Sequence, residues 1–374
     1  MSRILASIQK IKELEPIPGK DKIVLASFYG TGWQVIVGKD MNVDDLCVYI
    51  EYDSILPQKP EFEFLRSRCW NSRYEGFRIK CLKLGNAFSE GIAFPLSILP
   101  KGNWKEGDDV TDLIGVIKYD PELLDEKRET KVQYPFLLRL LFRIPLIKKL
   151  FFSNKRRDWP KWASKSDETR VQNLTYVFDK YQGLDVVVTE KMDGCSALYG
   201  LYKKEFVICS RNLQVKEAKG KYAKEQSRYI RAAKMFDIEK KLKSAKRIYG
   251  YDFYIQGELC GPAIQGNKYG FEDLRLFVFN VYSITQQRYL SMFEMFNFCS
   301  EIGFDPVPLV EKTKFCWKDV GELVEYAKGN SEFGGTPREG VVIRSERWMP
   351  PDHGMSNMWS LKTINPDFML KYGL

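Results

Sequence analysis

The sequence predicts an α+β fold in two parts, an all-strand front and a mixed strand-and-helix rear. Three observations carry that reading. Short strand-like runs broken by Gly and Pro turns fill residues 1–117, strand-like and helical patterns alternate over 166–374, and residues 118–165 match neither texture.

In the front part, Ile23–Phe28 and Trp33–Val37 flank Tyr29-Gly30-Thr31-Gly32, a hairpin signal with glycine ready for positive φ. Leu46–Tyr52, Phe77–Leu84 and Gly91–Phe94 add further runs. Many short strands with such punctuation fit a small barrel or a sandwich, and pattern alone does not choose.

The middle stretch holds Gln133–Phe152, apolar residues interleaved with Arg and Lys, and then basic, aromatic Asn154–Trp162. Charge and proline interrupt it too often for a membrane span. It reads as an interdomain connector with an apolar side, or as a basic arm for RNA or a membrane surface. In the rear part, Leu184–Thr189, Phe206–Ser210, Ile255–Leu259, Leu274–Tyr282 and Gly340–Arg344 are rich in β-branched and aromatic residues, the signature of buried strands. Ala218–Leu242, Tyr289–Ile302 and Trp317–Lys328 have helical patterns.

Composition narrows the chemistry. Of 374 residues, 44% are hydrophobic and 29% charged, as in a soluble globular protein, and the formal net charge is +9. A positive excess suits a phosphate-bearing partner, because basic side chains displace condensed counterions from nucleic acid. Eight cysteines never form a C-x-x-C pair, and no secretory signal opens the chain. Scattered reduced thiols in an intracellular, cytoplasmic protein are the expectation. A single histidine, His353, argues against a histidine-based triad and a structural zinc site. The reactive groups are therefore sought among Lys, Asp, Glu and Arg.

Four motifs answer that search. Lys191-Met192-Asp193-Gly194 follows the apolar run Val186-Val187-Val188. A lysine attacks phosphorus only as the neutral amine, which desolvation and nearby cations favour. Asp193 points the same way as Lys191 if the strand continues, and Gly194 lets backbone approach a phosphate. Average usage yields K-x-D-G by chance in roughly one chain in ten of this length, so the box alone decides nothing. Gln256-Gly257-Glu258-Leu259 puts a carboxylate inside a buried-looking strand, where it needs a cation, a metal or a sugar hydroxyl. Glu339-Gly340-Val341-Val342-Ile343-Arg344 is a strand with a charge at each end, and Ser360-Leu361-Lys362-Thr363-Ile364 sets a lysine in apolar context.

The order of these motifs, with an aromatic strand between the second and third, resembles that of the covalent nucleotidyltransferases. Ser196 stands where DNA ligases and mRNA capping enzymes usually carry arginine, which is similar to the RNA ligase 2 type. The chain also ends at Leu374, too soon after Lys362 for the C-terminal OB domain of those other branches. Residues 32–57, 77–84 and 89–96 resemble the OB domain that precedes the catalytic domain in ATP-dependent RNA ligases of the type 5 group. Ser166-Asp167-Glu168-Thr169-Arg170-Val171-Gln172-Asn173 resembles that group's leading motif. The resemblance implies an OB-like β-barrel over 1–117, a connector over 118–165, and a nucleotidyltransferase (adenylyltransferase) domain with antiparallel sheets and flanking helices over 166–374.

Carried over residue by residue, it makes Lys191 the nucleophile on the α-phosphate of ATP, with Lys362 contacting that phosphate and depressing the lysine pKa. Asp193, Glu258 and Glu339 would hold hydrated Mg²⁺ or Mn²⁺. Phe279 would stack on adenine, Arg170 would handle phosphate, and Arg211 would contact the nucleotide or the RNA end. Glu190 and Asn173 join the nucleotide-binding set. The implied partner is RNA with 5′-phosphate and 3′-hydroxyl ends, as in a nicked duplex, sealed by a monomer through lysyl-AMP and RNA-adenylate in RNA repair. Two departures stand out: Ser360 fills the first lysine position of the last motif, and Asn280 replaces an aspartate of the aromatic strand. The competing readings are a DNA ligase, a GTP-dependent capping guanylyltransferase, and a non-catalytic RNA-binding protein on a ligase scaffold.

Overall fold

The computed structural model describes residues 4–120, 158–215 and 227–374. The segments Gln133–Phe152 and Asn154–Arg157 of the basic stretch, and the start of the helix expected over Ala218–Leu242, lie outside those residues.

The front part is an OB-like, nearly closed barrel. One sheet runs Gly91–Pro95, Leu46–Glu51, Ala6–Pro16, Ile23–Phe28, Gln34–Gly38, and a second runs Ile117–Lys118, Ser54–Pro57, Gly76–Ile79, Trp70–Asn71. Alternation sets the inner faces. Ile23–Phe28 buries every second residue, Val24, Ala26 and Phe28, against Trp33, Val35 and Val37 of the next strand. The hairpin between them carries Gly30 at φ +65°, as its sequence predicts. The long strand Ala6–Pro16 was hidden by its Lys, Glu and Gln content. It pairs on both sides and is bent by an irregularity between Ile11 and Glu13. The run expected over Phe77–Leu84 is two strands, Gly76–Ile79 and Leu82–Leu84.

The rear part stacks two sheets. A five-stranded sheet runs Thr169–Arg170, Ser360–Ile364, Gly340–Ser345, Asp185–Glu190, Leu309–Lys314. A six-stranded sheet runs Gln214–Val215, Glu205–Ser210, Cys195–Tyr202, Phe253–Cys260, Arg275–Ser283, Arg288–Tyr289. Helices α1 (Arg228–Met235), α2 (Ile238–Tyr249) and α3 (Met292–Ile302) cover the second sheet with Tyr229, Leu242, Met295 and Phe298. The single helix expected over Ala218–Leu242 is two, because Asp237 between them adopts left-handed φ +51°. The helix expected from Tyr289 starts at Met292 behind a Ser291–Glu294 capping box, and that expected over Trp317–Lys328 is α4 (Val320–Ala327), capped by Asp319.

Two contacts lock the parts together. Residues 170–173 dock on the barrel: the Gly32 N–H donates to Gln172 O at 2.8 Å, Trp33 Nε1 donates to Asn173 Oδ1 at 2.6 Å, and Gln172 Nε2 donates to Glu90 Oε1 at 2.8 Å. Helix α5 (Pro366–Tyr372), capped by the Asn365 side chain, sends Phe368 and Met369 into the barrel core beside Trp33, Tyr49 and Tyr52. Trp159 and Trp162 pack against Leu198, Val207, Cys209 and Tyr254, on the face of the six-stranded sheet away from the helices. All eight cysteines are free thiols. Among the described residues no helix is long and apolar enough to cross a membrane.

Candidate active site

The strand Asp185–Glu190 does not continue through the Lys-Met-Asp-Gly box, contrary to the sequence expectation. It ends at Glu190, and the next strand, Cys195–Tyr202, lies in the other sheet. The box is therefore a crossover between the sheets. The Lys191 N–H donates to Gly340 O at 3.0 Å, at the start of an interior strand of one sheet, and the Asp193 N–H donates to the Tyr269 hydroxyl at 2.7 Å on the other side. Gly194 also has a different reason from the expected one. A Cβ there would stand 2.5 Å from Leu259 O and 2.8 Å from Cys260 Sγ, so strand packing, not approach to a phosphate, demands glycine.

The crossover opens onto a cavity of about 250 Å³ between the sheets and the barrel. Every site residue expected from the sequence lines it except Asn173: Arg170, Glu190, Lys191, Asp193, Arg211, Glu258, Phe279, Glu339 and Lys362 do. Asn173 instead holds the barrel, bonding Trp33 Nε1 and Glu51 Oε1, and its amide is engaged there. Ser360 is buried in its strand opposite Arg344 and takes no part in the lining. Asn280 donates to Gln256 Oε1 across the sheet at 3.0 Å, a buried pair that a carboxylate could not make in the same way.

One wall is acidic. Lys191 Nζ pairs with Glu339 Oε1 at 2.6 Å. Burial alone would lower the Lys191 pKa, but Glu339, Glu258 and Asp193 outweigh it and hold the amine charged. This corrects the expectation that Lys362 depresses it. Lys362 Nζ is paired with Asp167 Oδ1 at 2.8 Å. The second oxygen of Glu339 is buried with no hydrogen-bond partner, as is Oε1 of Glu190. The orphaned Glu339 oxygen, in the cluster with Asp193 and Glu258 around Lys191, fits a hard, hydrated divalent cation. Among the described residues no three metal-ligating groups converge closely enough to bind one ion directly, so such an ion would be held largely through water.

The opposite wall is basic and draws on both parts of the chain. The Arg170 guanidinium sits 3.7 Å over the Tyr52 ring, 3.7 Å from Asp53 Oδ2, and its Nε and Nη1 are buried without partners. Arg78, over the Tyr119 ring at 3.7 Å, pairs with the other Asp53 oxygen at 3.1 Å. Asp167 gathers Lys362, Arg211 (3.5 Å) and Lys118 (3.9 Å). Burial opposes its ionisation, but those three cations hold its carboxyl well below the usual carboxylate range. Arg344, buried, supports the aromatic side, donating to Phe279 O at 2.7 Å while pairing with half-buried Glu168 at 2.6 Å.

Sequence reasoning missed Asp53, Arg78, Lys118 and Tyr119, because only the packing of barrel on sheets brings them here. It also missed Lys268, whose ammonium pairs with Asp193, although a lysine amid Gly266 and Gly270 near the Glu258 strand was a usable signal.

The comparisons agree with this architecture. A family model described as RNA ligase matches residues 184–362, and an OB-fold domain model matches residues 5–96. No curated protein sequence matches the chain. Among solved structures, Naegleria gruberi RNA ligase with PPi superposes with a TM-score of 0.78 at 22% identity, over 100% of this chain and 99% of that one. A lysine-to-methionine mutant of that ligase with AMP and Mn gives 0.77 at 22% over 99% of each chain. A glutamate-to-alanine mutant with ATP and Mn gives 0.76 at 23% over 99% of each. At that identity the likeness concerns the fold.

Proposed function

We propose that the protein joins RNA 3′-hydroxyl and 5′-phosphate ends at the expense of ATP, a reading supported by the match of residues 184–362 to an RNA ligase model behind a match of residues 5–96 to an OB-fold domain model. The observation that carries this reading is Lys191 Nζ in a cavity with carboxylates on one side and Arg and Lys on the other.

In the first step, Lys191 Nζ attacks the α-phosphorus of ATP. A P–N bond forms, the bond from the α-phosphorus to the bridging oxygen breaks, and pyrophosphate leaves with that electron pair. The amine must first give up its proton and its partner Glu339. Asp193, Glu258 and Glu339 would hold a hydrated Mg²⁺ or Mn²⁺, which would supply positive charge to offset those carboxylates and the α-phosphate oxygens. Lys362 is placed to meet the α-phosphate once released from Asp167, and Arg170, with two unpartnered nitrogens, to meet the departing phosphates. Phe279, backed by Arg344, offers a face to the adenine. In the second step an RNA 5′-phosphate oxygen attacks the phosphorus of lysyl-AMP and the P–N bond breaks. In the third a 3′-hydroxyl displaces AMP and forms the phosphodiester. The preferred substrate is a nick in a duplex, sealed by a monomer in RNA repair inside the cell.

Incubation with α-labelled ATP or GTP and Mn²⁺ tests the first step. Label from ATP retained on the denatured protein, and lost in Lys191→Ala, is the expected result; label in Lys191→Ala overturns the assignment. Nicked duplexes with RNA or DNA on each side of the break test the rest. Sealing only where RNA supplies the 3′-hydroxyl is expected, and equal sealing of all-DNA nicks would mark a DNA ligase.

A further inference from the structure

Two ammonium groups enter the acidic wall, and only one of them is the nucleophile. Lys268 pairs with Asp193 and is almost buried, its side chain 9% exposed against 12% for Asp193. Its Nζ lies 5.2 Å from the Phe368 ring centroid and 5.1 Å from that of Tyr372, so two aromatic faces of helix α5 hold the cation from behind. The adjacent residue, Tyr269, accepts the Asp193 backbone N–H. Consecutive residues of one loop thus fix both the side chain and the main chain of Asp193. That loop, residues 261–273, is held in an unusual conformation. Ala263, Gln265 and Asn267 all have left-handed φ, and the Asn267 side chain bonds Phe271 N and O. Strain of this kind persists where surrounding structure over-determines it, and clusters at working sites.

We infer that Lys268 is a positioning residue that acts through Asp193: it fixes one carboxylate oxygen and leaves the other to orient the water shell of the catalytic cation. The inference rests on the ligase reading for its consequence, but the pairing can be tested without it. Lys191 must surrender its carboxylate to become a nucleophile. Lys268 forms no bond to the reacting phosphorus, so its contact with Asp193 can persist while Lys191 leaves Glu339. Removing it makes the wall more negative and the carboxylate less ordered, which predicts tighter but less productive metal binding.

Lys268→Met keeps the stem that packs on Phe368 and Tyr372, and a thermal melt checks that it folds. Free Mn²⁺, followed by its paramagnetic resonance signal, should show Mn²⁺ bound about three- to tenfold more tightly by Lys268→Met than by the natural chain, since a nearby like charge is gone. At saturating Mn²⁺ and ATP, formation of lysyl-AMP should fall by at least about tenfold, as for loss of an oriented catalytic group. Lys268→Arg should restore both measurements to within about threefold. In the Asp193→Asn background, adding Lys268→Met should slow labelling no further. Unchanged Mn²⁺ affinity, an unchanged labelling rate, or additive losses in the double variant each overturn the inference. If the natural chain forms no lysyl-AMP at all, the ligase reading fails, while the Mn²⁺ comparison still decides whether Lys268 bears on the cation.

Discussion

Glu90 shows how one side chain can set a pH response at a distance from chemistry. Burial pushes its carboxyl up to about 7, with Arg170 and the Gln172 amide pulling it down and Glu51 adding to the rise. The folded protein keeps this proton to about pH 7, whereas the unfolded chain releases it near 4.5. The group therefore costs stability as pH climbs between those values, on the order of 3 kcal/mol in full. Glu90→Gln, which still accepts from Gln172, should leave the urea midpoint at pH 5 unchanged and raise it at pH 8. Arg344 is the opposite case. Burial favours the neutral Glu168 carboxyl, but Arg344 holds it below its ordinary value, so that contribution is present above about pH 4.5 and disappears as pH falls. Arg344→Met leaves a half-buried carboxylate without its cation and frees the Phe279 carbonyl. A loss of about 3–5 kcal/mol at pH 7 is expected, narrowing towards acid, as read from denaturation curves. At Gly194 the obstacle is backbone, which cannot swing aside. Gly194→Ala should cost about 1–3 kcal/mol and slow lysyl-AMP formation, measured on the same preparation.

At the scale of elements, helix α5 was missed in the sequence although it has every signal of one: Asn365 accepting from Asp367 N at 2.9 Å, Pro366 at its first position, and Gly373 at φ +63° at its end. Asn365→Ala should lower stability by about 1 kcal/mol, the ordinary worth of such a cap. Strands with clean alternation, such as Ile23–Phe28 and Gly340–Ser345, were readable because burial imposes the pattern. Ala6–Pro16 was not, since Lys and Glu occupy most of its exposed positions, Gln9 is a buried polar residue, and its bend breaks the period. The acidic wall was readable because Lys191, Asp193, Glu258 and Glu339 sit in motifs whose order is distinctive. The basic wall was not: Asp53 and Arg78 come from the barrel, and nothing local marks them as neighbours of Arg170. Lys268 had a local signal in its flanking glycines, but its partner lies in the crossover and its aromatic backing in α5, which only the fold brings together.

On the scale of the whole molecule, barrel and sheets share one apolar cluster, into which Phe368 and Met369 enter beside Trp33, Tyr49 and Tyr52. Two units joined through a common core should unfold together. Calorimetry of the natural chain is expected to give one transition. Phe368→Ala, which removes a fully buried ring and about 3–5 kcal/mol, should split it into two. The same variant strips one aromatic face from Lys268, so adenylylation should weaken before the fold is lost.

The crossover at Lys191 joins no ladder of its own. One of its amides answers to Gly340 and another to Tyr269, so a tetrapeptide spans the gap between two sheets like the jaws of a caliper. The separation of amine and carboxylate is then a measure of sheet spacing. Gly257, where a Cβ would meet Leu276 at 2.8 Å and the Phe277 carbonyl at 2.9 Å, lies outside the cavity lining, yet a residue that thickened the sheet there would be read out at Lys191.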